Sequence, residues 1–428
     1  MELGPMYTVK ALTTTNYKNL HLQEGLQLGN LNVFIGPNGS GKSNLIDVLA
    51  FLQDAITDPV DKSRGVTGFV NAVARLGDFK ILDGTIKSPA RVKFKFEFRC
   101  DAKHPAIFEL ELLIRGTSET AVVIGESLYT LSPEKHVFYK CHDKGRGGGK
   151  VLVYNDPVSS DTHFEELFNV PGDNLTLAII PELLESENIF SQGRHHPFHK
   201  VRRDLVNTIS QWRSYNANNM NLADIRRSEP KIGPKDVFLS SSGENLPLVL
   251  YNLMQDHLDF EESINNAMKA ILPSTLKIRA VHSGRLSLTV DWHVEGMSEP
   301  LYLTEMSDGT VRMLCWATIL HSPELPSLLV IEEPELGIHV AWMQTLAEWI
   351  KQAAARTQII VSTHSPDLLD HFTEQTENVF VFRPADQDKN HFQVQPLSPK
   401  NVSEWIEQGW QLGDLYRIGD PSVGGWPW

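Results

Sequence analysis

At 428 residues, 41% hydrophobic and 21% charged, the chain has the composition of a globular protein with a sizeable core and room for two or three domains. Its net charge of −14 argues against a chain-wide nucleic-acid surface, although a local basic patch stays open. Cys100, Cys141 and Cys315 are too few and too scattered for a disulfide framework or a zinc site, and residues 1–5 lack the basic start and apolar core of a signal peptide. No apolar stretch approaches membrane-spanning length, so a cytoplasmic protein without a membrane segment is expected.

Residues 7–12 alternate loosely and read as a first strand, and residues 31–35 form a short apolar run suited to a buried parallel strand. That run enters Gly36-Pro37-Asn38-Gly39-Ser40-Gly41-Lys42-Ser43, the G-x-x-x-x-G-K-S pattern of a phosphate-binding loop, and a helix opens at Ser43-Asn44-Leu45. Glycines let the backbone turn tightly and aim successive N–H groups at phosphate oxygens, while the helix N-terminus adds a favourable field. Lys42 would then reach the β- and γ-phosphates, and the Ser43 hydroxyl would hold Mg2+. Strand, loop, Lys-Ser and helix in succession outweigh a chance glycine turn, so a nucleoside triphosphate is the expected ligand.

After a charged, glycine-containing stretch over 54–84, residues 91–98 alternate strictly and 107–112 repeat the device, which predicts an antiparallel layer. From 116 to 234 the pattern degrades. Strand-like pieces stand at 121–124 and 151–154, a glycine-rich turn at 145–149 and a helical piece over 201–212, with no sustained heptads and no repeat. Three basic groupings fall here: His195, His196, His199, Lys200, Arg202 and Arg203; Arg226, Arg227, Lys231 and Lys235; Lys140, Lys144, Arg146 and Lys150. Any of them could meet nucleic-acid phosphates, but at this net charge a solvated face interspersed with acids is the favoured reading.

Helical spacing returns over 246–258 and 261–271, and strands are expected over 276–281 and 286–294. Ser307 and Gly309 precede a helix beginning near Val311, which makes either a second anion site or a plain N-cap turn. Leu328-Leu329-Val330-Ile331-Glu332-Glu333-Pro334-Glu335 has the shape of a Walker B strand. Glu332 would complete the Mg2+ shell and Glu333 would polarise the attacking water as base. Residues 336–355 read as a helix apolar nearly all round. Residues 358–362 form another parallel-type strand, and His364 lies just past its C-terminal end, where α/β folds place ligands and where it could donate to a γ-phosphate.

Phosphate loop, Ser-Asp-Gly-Thr helix start, Glu-Glu-Pro-Glu and Ser-Thr-His-Ser-Pro, in that order, resemble the head of an ABC-class ATPase. The resemblance is to the RecF, SMC and OLD branch, and within it to the short AAA-type ATPases of prokaryotic repair and anti-phage modules. It covers about residues 7–115 and 240–385, and Ser242-Gly243-Glu244-Asn245-Leu246 is in keeping with it. The sequence departs from the pattern at Val340, where the group usually shows proline, and at Glu332, where many ABC proteins carry aspartate.

The resemblance implies an α/β head with a mixed or parallel sheet around the phosphate loop, an antiparallel β layer and an inserted, mainly helical subdomain. Its boundaries would be 1–115 and 241–385 for the two parts of the head, 116–240 for the insert and 386–428 for a hairpin and tail. It implies ATP and Mg2+ as cofactors, with Gly36, Pro37, Asn38, Gly39, Ser40, Gly41, Lys42, Ser43 and Asn44 binding nucleotide and Ser43 and Glu332 binding metal. Lys42, Glu333 and His364 would be catalytic. Two heads would sandwich two ATP molecules as a homodimer or higher even oligomer, with Ser307 and Gly309 acting in trans on the partner's γ-phosphate. The glutamine that usually joins the metal shell has no clear counterpart, since Gln53 stands too near the phosphate-loop helix. Tyr17 is a candidate for the aromatic near the adenine, or else a strand-end tyrosine.

Asp386-Gln387-Asp388 superficially resembles the D-x-D of a TOPRIM nuclease, but reads better as a hairpin turn followed by too little chain for such a domain. A nuclease-like effector is therefore expected on a separate chain, with DNA as a possible further partner and the 423–428 tail as a loose apolar end. The expected function is a cytosolic ATPase acting in DNA processing or anti-phage defence. An ATP-binding scaffold with little turnover and a transporter's nucleotide-binding subunit are the alternatives. The long chain between the phosphate loop and Ser307 tells against the transporter.

Overall fold

The computed structural model describes residues 7–57, 68–100, 105–116, 121–131, 135–142, 149–155, 163–186, 197–385 and 388–424. In chain order, β1 (Thr8–Tyr17), β2 (Leu20–Gln27) and β3 (Leu31–Ile35) lead to α1 (Lys42–Thr57) and α2 (Gly68–Leu76). The strands β4 (Ala90–Arg99), β5 (Ala106–Ile114), β6 (Val122–Thr130), β7 (His136–His142), β8 (Gly149–Asn155) and β9 (His163–Val170) come next, then α3 (Thr176–Ser186) and α4 (Pro197–Ser210). β10 (Arg213–Asn216), α5 (Leu222–Arg227), α6 (Leu246–Asp256) and α7 (Leu258–Ile271) precede β11 (Thr275–Ser283), β12 (Ser287–Val294) and β13 (Leu301–Tyr302). The last stretch holds α8 (Asp308–Leu320), β14 (Leu328–Glu332), α9 (Met343–Ala354), β15 (Gln358–Ser362) and α10 (Pro366–Asp370), then β16 (Val379–Ala385), β17 (Asp388–Pro396), α11 (Pro399–Glu407) and α12 (Leu412–Arg417).

These elements sort into two units. One takes Met1–Gly29, Gly36–Trp212 and Phe382–Gln395; the other takes Asn30–Ile35, Arg213–Val381 and Pro396–Trp428. The first unit is built on strands in the order β17-β2-β1-β4-β5-β6-β7-β8-β9, antiparallel from β2 onward. Strict alternation gives β4 and β5 two different faces. Phe94, Phe96 and Phe98 are buried, with Phe96 opposite Phe108 and Phe94 opposite Leu110, and Phe51 of α1 lies 5.8 Å from Phe94. Each such phenylalanine contributes about 1.5–3 kcal/mol by leaving water. On the other face Lys93 sits opposite Glu111 at 3.4 Å, a cross-strand pairing of opposite charges in the same register.

The stretch over 116–240, read from sequence as a mainly helical insert, divides. Its earlier part adds β6 to β9 to the antiparallel layer, and only its later part is helical. The strand signal is broken by register shifts at Leu128/Tyr129 in the β6–β7 pairing and at Gly149/Val151 in the β8–β9 pairing, which interrupt the alternation that marks β4 and β5. A buried carboxylate joins the two parts. Glu126 on β6 accepts from the N–H groups of Thr176 at 2.6 Å and Leu177 at 2.7 Å at the start of α3, and from the Tyr139 hydroxyl at 2.8 Å. A negative charge at a helix N-terminus satisfies donors that have no partner within the helix.

The second unit holds a parallel sheet in the order β10-β14-β15-β3-β16 and a separate antiparallel sheet of β11, β12 and β13. Leu328 to Ile331 and Ile359 to Val361 are continuous apolar runs because both faces of a parallel sheet are covered. α8 is buried along most of its length, and its Trp316 indole donates to the Pro334 carbonyl at 3.1 Å. The helix read over 336–355 begins only at Met343. Gly337 takes a left-handed conformation at φ 70°, and the His339 side chain accepts from the Ala341 N–H at 3.1 Å to start a 3₁₀ turn. Asp386 and Gln387, and the tail beyond Gly424, lie outside the described residues. Among the described residues, no helix is long and apolar enough to cross a membrane.

Candidate nucleotide site

In the first unit the phosphate loop folds as a turn closed by the Ser40 N–H on the Pro37 carbonyl at 3.2 Å, and α1 starts with the Leu45 N–H on the Gly41 carbonyl at 3.0 Å. Gly41, at φ 96°, cannot be replaced. A Cβ there would lie 2.6 Å from Leu20 Cδ2 and 2.9 Å from Asn19 Oδ1. The loop is tied down from the β1–β2 turn, where Asn19 donates to the Gly39 carbonyl and Asn44 donates to Asn19 Oδ1, both at 2.8 Å. Lys42 is buried and its ammonium folds back onto its own loop, 2.7 Å from the Gly36 carbonyl and 3.1 Å from that of Pro37. Ser40 is buried, whereas Asn38, Gly39 and Ser43 are exposed. This leaves the Ser43 hydroxyl open in the first turn of α1.

Two sequence candidates resolve differently. The Tyr17 hydroxyl donates to the Asn44 carbonyl at 3.0 Å, its ring packs edge-on against Phe94, and burial drives its pKa well above the usual tyrosine range. A ring fully enclosed in this way has no face for an adenine. Gln53 donates to the carbonyls of Ile209 and Trp212, each at 2.9 Å, so its amide secures the end of α4.

In the second unit the acids and the histidine converge at the C-terminal ends of β14 and β15. Glu332 is the last residue of β14, paired in register with Ser362 on one side and Asn216 on the other. Glu333 follows at φ 49°, a left-handed conformation that costs a non-glycine residue about 1–3 kcal/mol, and its N–H is held by the Ser362 carbonyl at 2.8 Å. His364 Nε2 lies 4.0 Å from Glu333 Oε1. Glu335 accepts from the Thr363 hydroxyl at 2.7 Å and the His364 N–H at 3.1 Å; burial, with Glu333 nearby, raises its carboxyl above the usual range. Glu335 thus fixes the loop that carries His364.

Asn218, which the sequence reading passed over, donates to Glu333 Oε2 at 3.1 Å from a 3₁₀ turn after β10. The Asn216 side chain caps that turn, accepting from the Asn218 N–H at 2.9 Å, and Arg312 of α8 donates to its Ala217 carbonyl at 2.5 Å. The only signal in the sequence is the cluster Asn216-Ala217-Asn218-Asn219, which is ordinary turn composition.

Ser307 is the N-cap of α8 and is exposed. Its Oγ accepts from the Thr310 N–H at 3.2 Å. Gly309 is packed against its surroundings, since a Cβ there would lie 3.1 Å from both the Gly337 carbonyl oxygen and the Trp342 ring. Arg226 braces this helix start, donating to the Met306 carbonyl at 2.7 Å and pairing with Asp308 at 2.6 Å. Arg226 is therefore engaged within the fold. So is Arg202, which donates to the carbonyls of Leu177 and Ala178 at 2.6 and 2.9 Å, and Lys150 pairs with Glu166 at 2.6 Å. Lys144, Arg146, His195 and His196 lie outside the described residues.

The fold is that of an SMC-like head, a nucleotide-binding ATPase architecture. The SMC head bound to the C-winged helix domain of ScpA matches with a TM-score of 0.51 at 11% identity, over 92% of this chain and 99% of that one. The Pyrococcus furiosus Smc head with an extended coiled coil, bound to the C-terminal domain of ScpA, matches at 0.47 and 11% identity, over 94% and 99%. The Thermotoga maritima SMC head domain matches at 0.43 and 11%, over 91% and 99%. A family model described as "AAA domain, putative AbiEii toxin, Type IV TA system" matches residues 31–370, and the chain belongs to that family. No curated protein matches the chain significantly.

Proposed function

We propose that this protein is a Mg2+-dependent ATPase whose heads pair on ATP and whose cycle controls a separately encoded, nuclease-like effector or DNA processing, in defence or repair. The reading rests on Glu333: an acid held at left-handed φ at the end of a buried parallel strand, with Asn218 on one carboxylate oxygen and His364 beside the other. Such a carboxylate is suited to accept a proton from an attacking water. Asn218 orients it, and His364 donates to the γ-phosphate. Lys42 exchanges its loop carbonyls for the β- and γ-phosphates, and the N–H groups of residues 39–44 cradle them. The exposed Ser43 hydroxyl and the Glu332 carboxylate are oxygen donors suited to Mg2+, which would shield phosphate charge.

Ser307 and Gly309 belong to the partner's nucleotide in this reading. The exposed N-terminus of the 13-residue α8 presents backbone N–H groups and the Ser307 hydroxyl to an anion. Membership in a family described by a toxin–antitoxin system supports a defence role and a second gene product.

Steady-state turnover of the wild type and of Glu333→Gln decides the catalytic reading. Loss of a general base lowers the rate by about 10²–10⁴-fold. A wild type that binds ATP but shows no turnover, with or without DNA, would make the protein a nucleotide-sensing scaffold instead.

A further inference from the structure

Three side chains that the nucleotide reading does not use converge in the first unit: His21 on β2, His391 on β17, and Asp83 just beyond the 3₁₀ turn Asp78–Ile81. His391 Nε2 lies 2.6 Å from Asp83 Oδ2, and His21 Nε2 lies 4.0 Å from the same oxygen. The two imidazoles stack with centroids 4.1 Å and planes 26° apart. Asp83 and His391 are each 4% exposed, and His21 is partly open. Backbone hydrogen bonds pin the three segments together: Phe392 N–H to the Asn19 carbonyl at 2.8 Å, Asp83 N–H to that of Asn16 at 3.0 Å, and Lys18 N–H to that of Ile81 at 3.0 Å.

Asp83 Oδ1 accepts from the Thr85 N–H and hydroxyl, each at 2.8 Å, which leaves Oδ2 for the imidazoles. One imidazole is enough to satisfy that oxygen. At 4.0 Å the second makes no hydrogen bond to it, and two stacked rings would repel if both were protonated. A shared cation resolves the arrangement. The three ligand atoms lie within 4.8 Å of one another, and neighbouring ligands of a tetrahedral ion with the usual bond lengths are about 3.4 Å apart. That spacing falls between the 2.6 Å of the His391–Asp83 pair and the 4.0 Å of the His21–Asp83 pair.

We propose that His21, Asp83 and His391 bind one divalent transition-metal ion of the zinc class, distinct from the Mg2+ of the nucleotide reading. Two imidazole nitrogens and one carboxylate suit such an ion and not Mg2+, which prefers oxygen ligands. Thr85 supplies the outer hydrogen bonds that orient the carboxylate. Asp83 and His391 also line a cavity of about 720 Å³, from which water can complete the coordination. Binding takes place at unprotonated ring nitrogens of the two imidazoles.

Titration of the full chain, stripped with chelator, with Co2+ as a spectroscopic probe is the direct test. One equivalent is expected to give a visible d–d band that Zn2+ displaces and millimolar Mg2+ does not. His21→Ala, at the partly open position, is expected to keep the wild-type circular dichroism while weakening Co2+ binding by about 10-fold or more. His21→Gln serves as a second variant of closer volume. A wild type without the d–d band, or both variants binding Co2+ as tightly as the wild type, overturns the proposal.

Discussion

At residue scale, Asn218 is the informative case. Its amide donates to one oxygen of Glu333 while the backbone of Glu333 is held at a strained φ, so the carboxylate's direction is set from two sides. A hydrogen bond to a charged group is worth about 1.5–3 kcal/mol, and an interaction that matters in the transition state lowers kcat and kcat/KM together. Asn218→Ala is therefore expected to reduce ATP turnover by about 10- to 100-fold with the KM for ATP little changed. Unchanged kcat would leave Asn218 as a surface contact. The turn of the phosphate loop and the placement of Glu333 and His364 past the ends of β14 and β15 were legible in the sequence because each is written in consecutive residues. The contacts of Asn218 and Arg226 were not, because Glu333 and Asp308 lie far along the chain and only folding brings them together. Tyr17 was ambiguous for the opposite reason. Its place in the chain suited an adenine, and only its enclosure against Phe94 removes it.

At the scale of elements, α8 shows how a helix start is kept in shape from outside. Arg226 holds the Met306 carbonyl and Asp308, Arg312 reaches the turn that bears Asn218, and Trp342 closes over Gly309. Through Arg312, Ala217 and Asn218 this helix start is linked by hydrogen bonds to the turn beside Glu333. The other end of α8 carries a pH dependence. Burial, aided by Arg356, lowers the His321 pKa from 6.5 to about 4, and the ring packs edge-on against Trp349. Between pH 6.5 and 4 the unfolded chain takes up a proton that the folded chain refuses. Stability therefore falls as pH drops through that window, by up to about 1.4 kcal/mol per pH unit from this group. Urea midpoints measured from pH 7 to 4.5 are expected to fall less steeply in His321→Gln than in the wild type. Elements with a clean pattern, the alternation of β4 and β5 and the unbroken apolar runs of β14 and β15, were readable in advance. β6 to β9 were not, since bulges interrupt their alternation, and the late start of α9 turns on the backbone of Gly337.

For the whole molecule, the proposed pairing of heads makes α8 a surface that acts only in company. With Glu333→Gln to hold ATP, a dimer is expected on size exclusion, and adding Ser307→Arg is expected to return it to monomer while each head still binds ATP, more weakly than in the dimer. Persistence of the dimer in the double variant would place the interface elsewhere. The central parallel sheet of the second unit also bears on how the chain is made. Val33 of β3 pairs with Val361 of β15 and Val379 of β16, roughly 350 residues later at the far end. At ribosomal speeds, that segment waits on the order of 20–70 s before both neighbouring strands exist. An apolar strand left open for so long is an invitation to wrong partners, so the cell must either shield the emerging chain or accept that some copies are lost before they are finished.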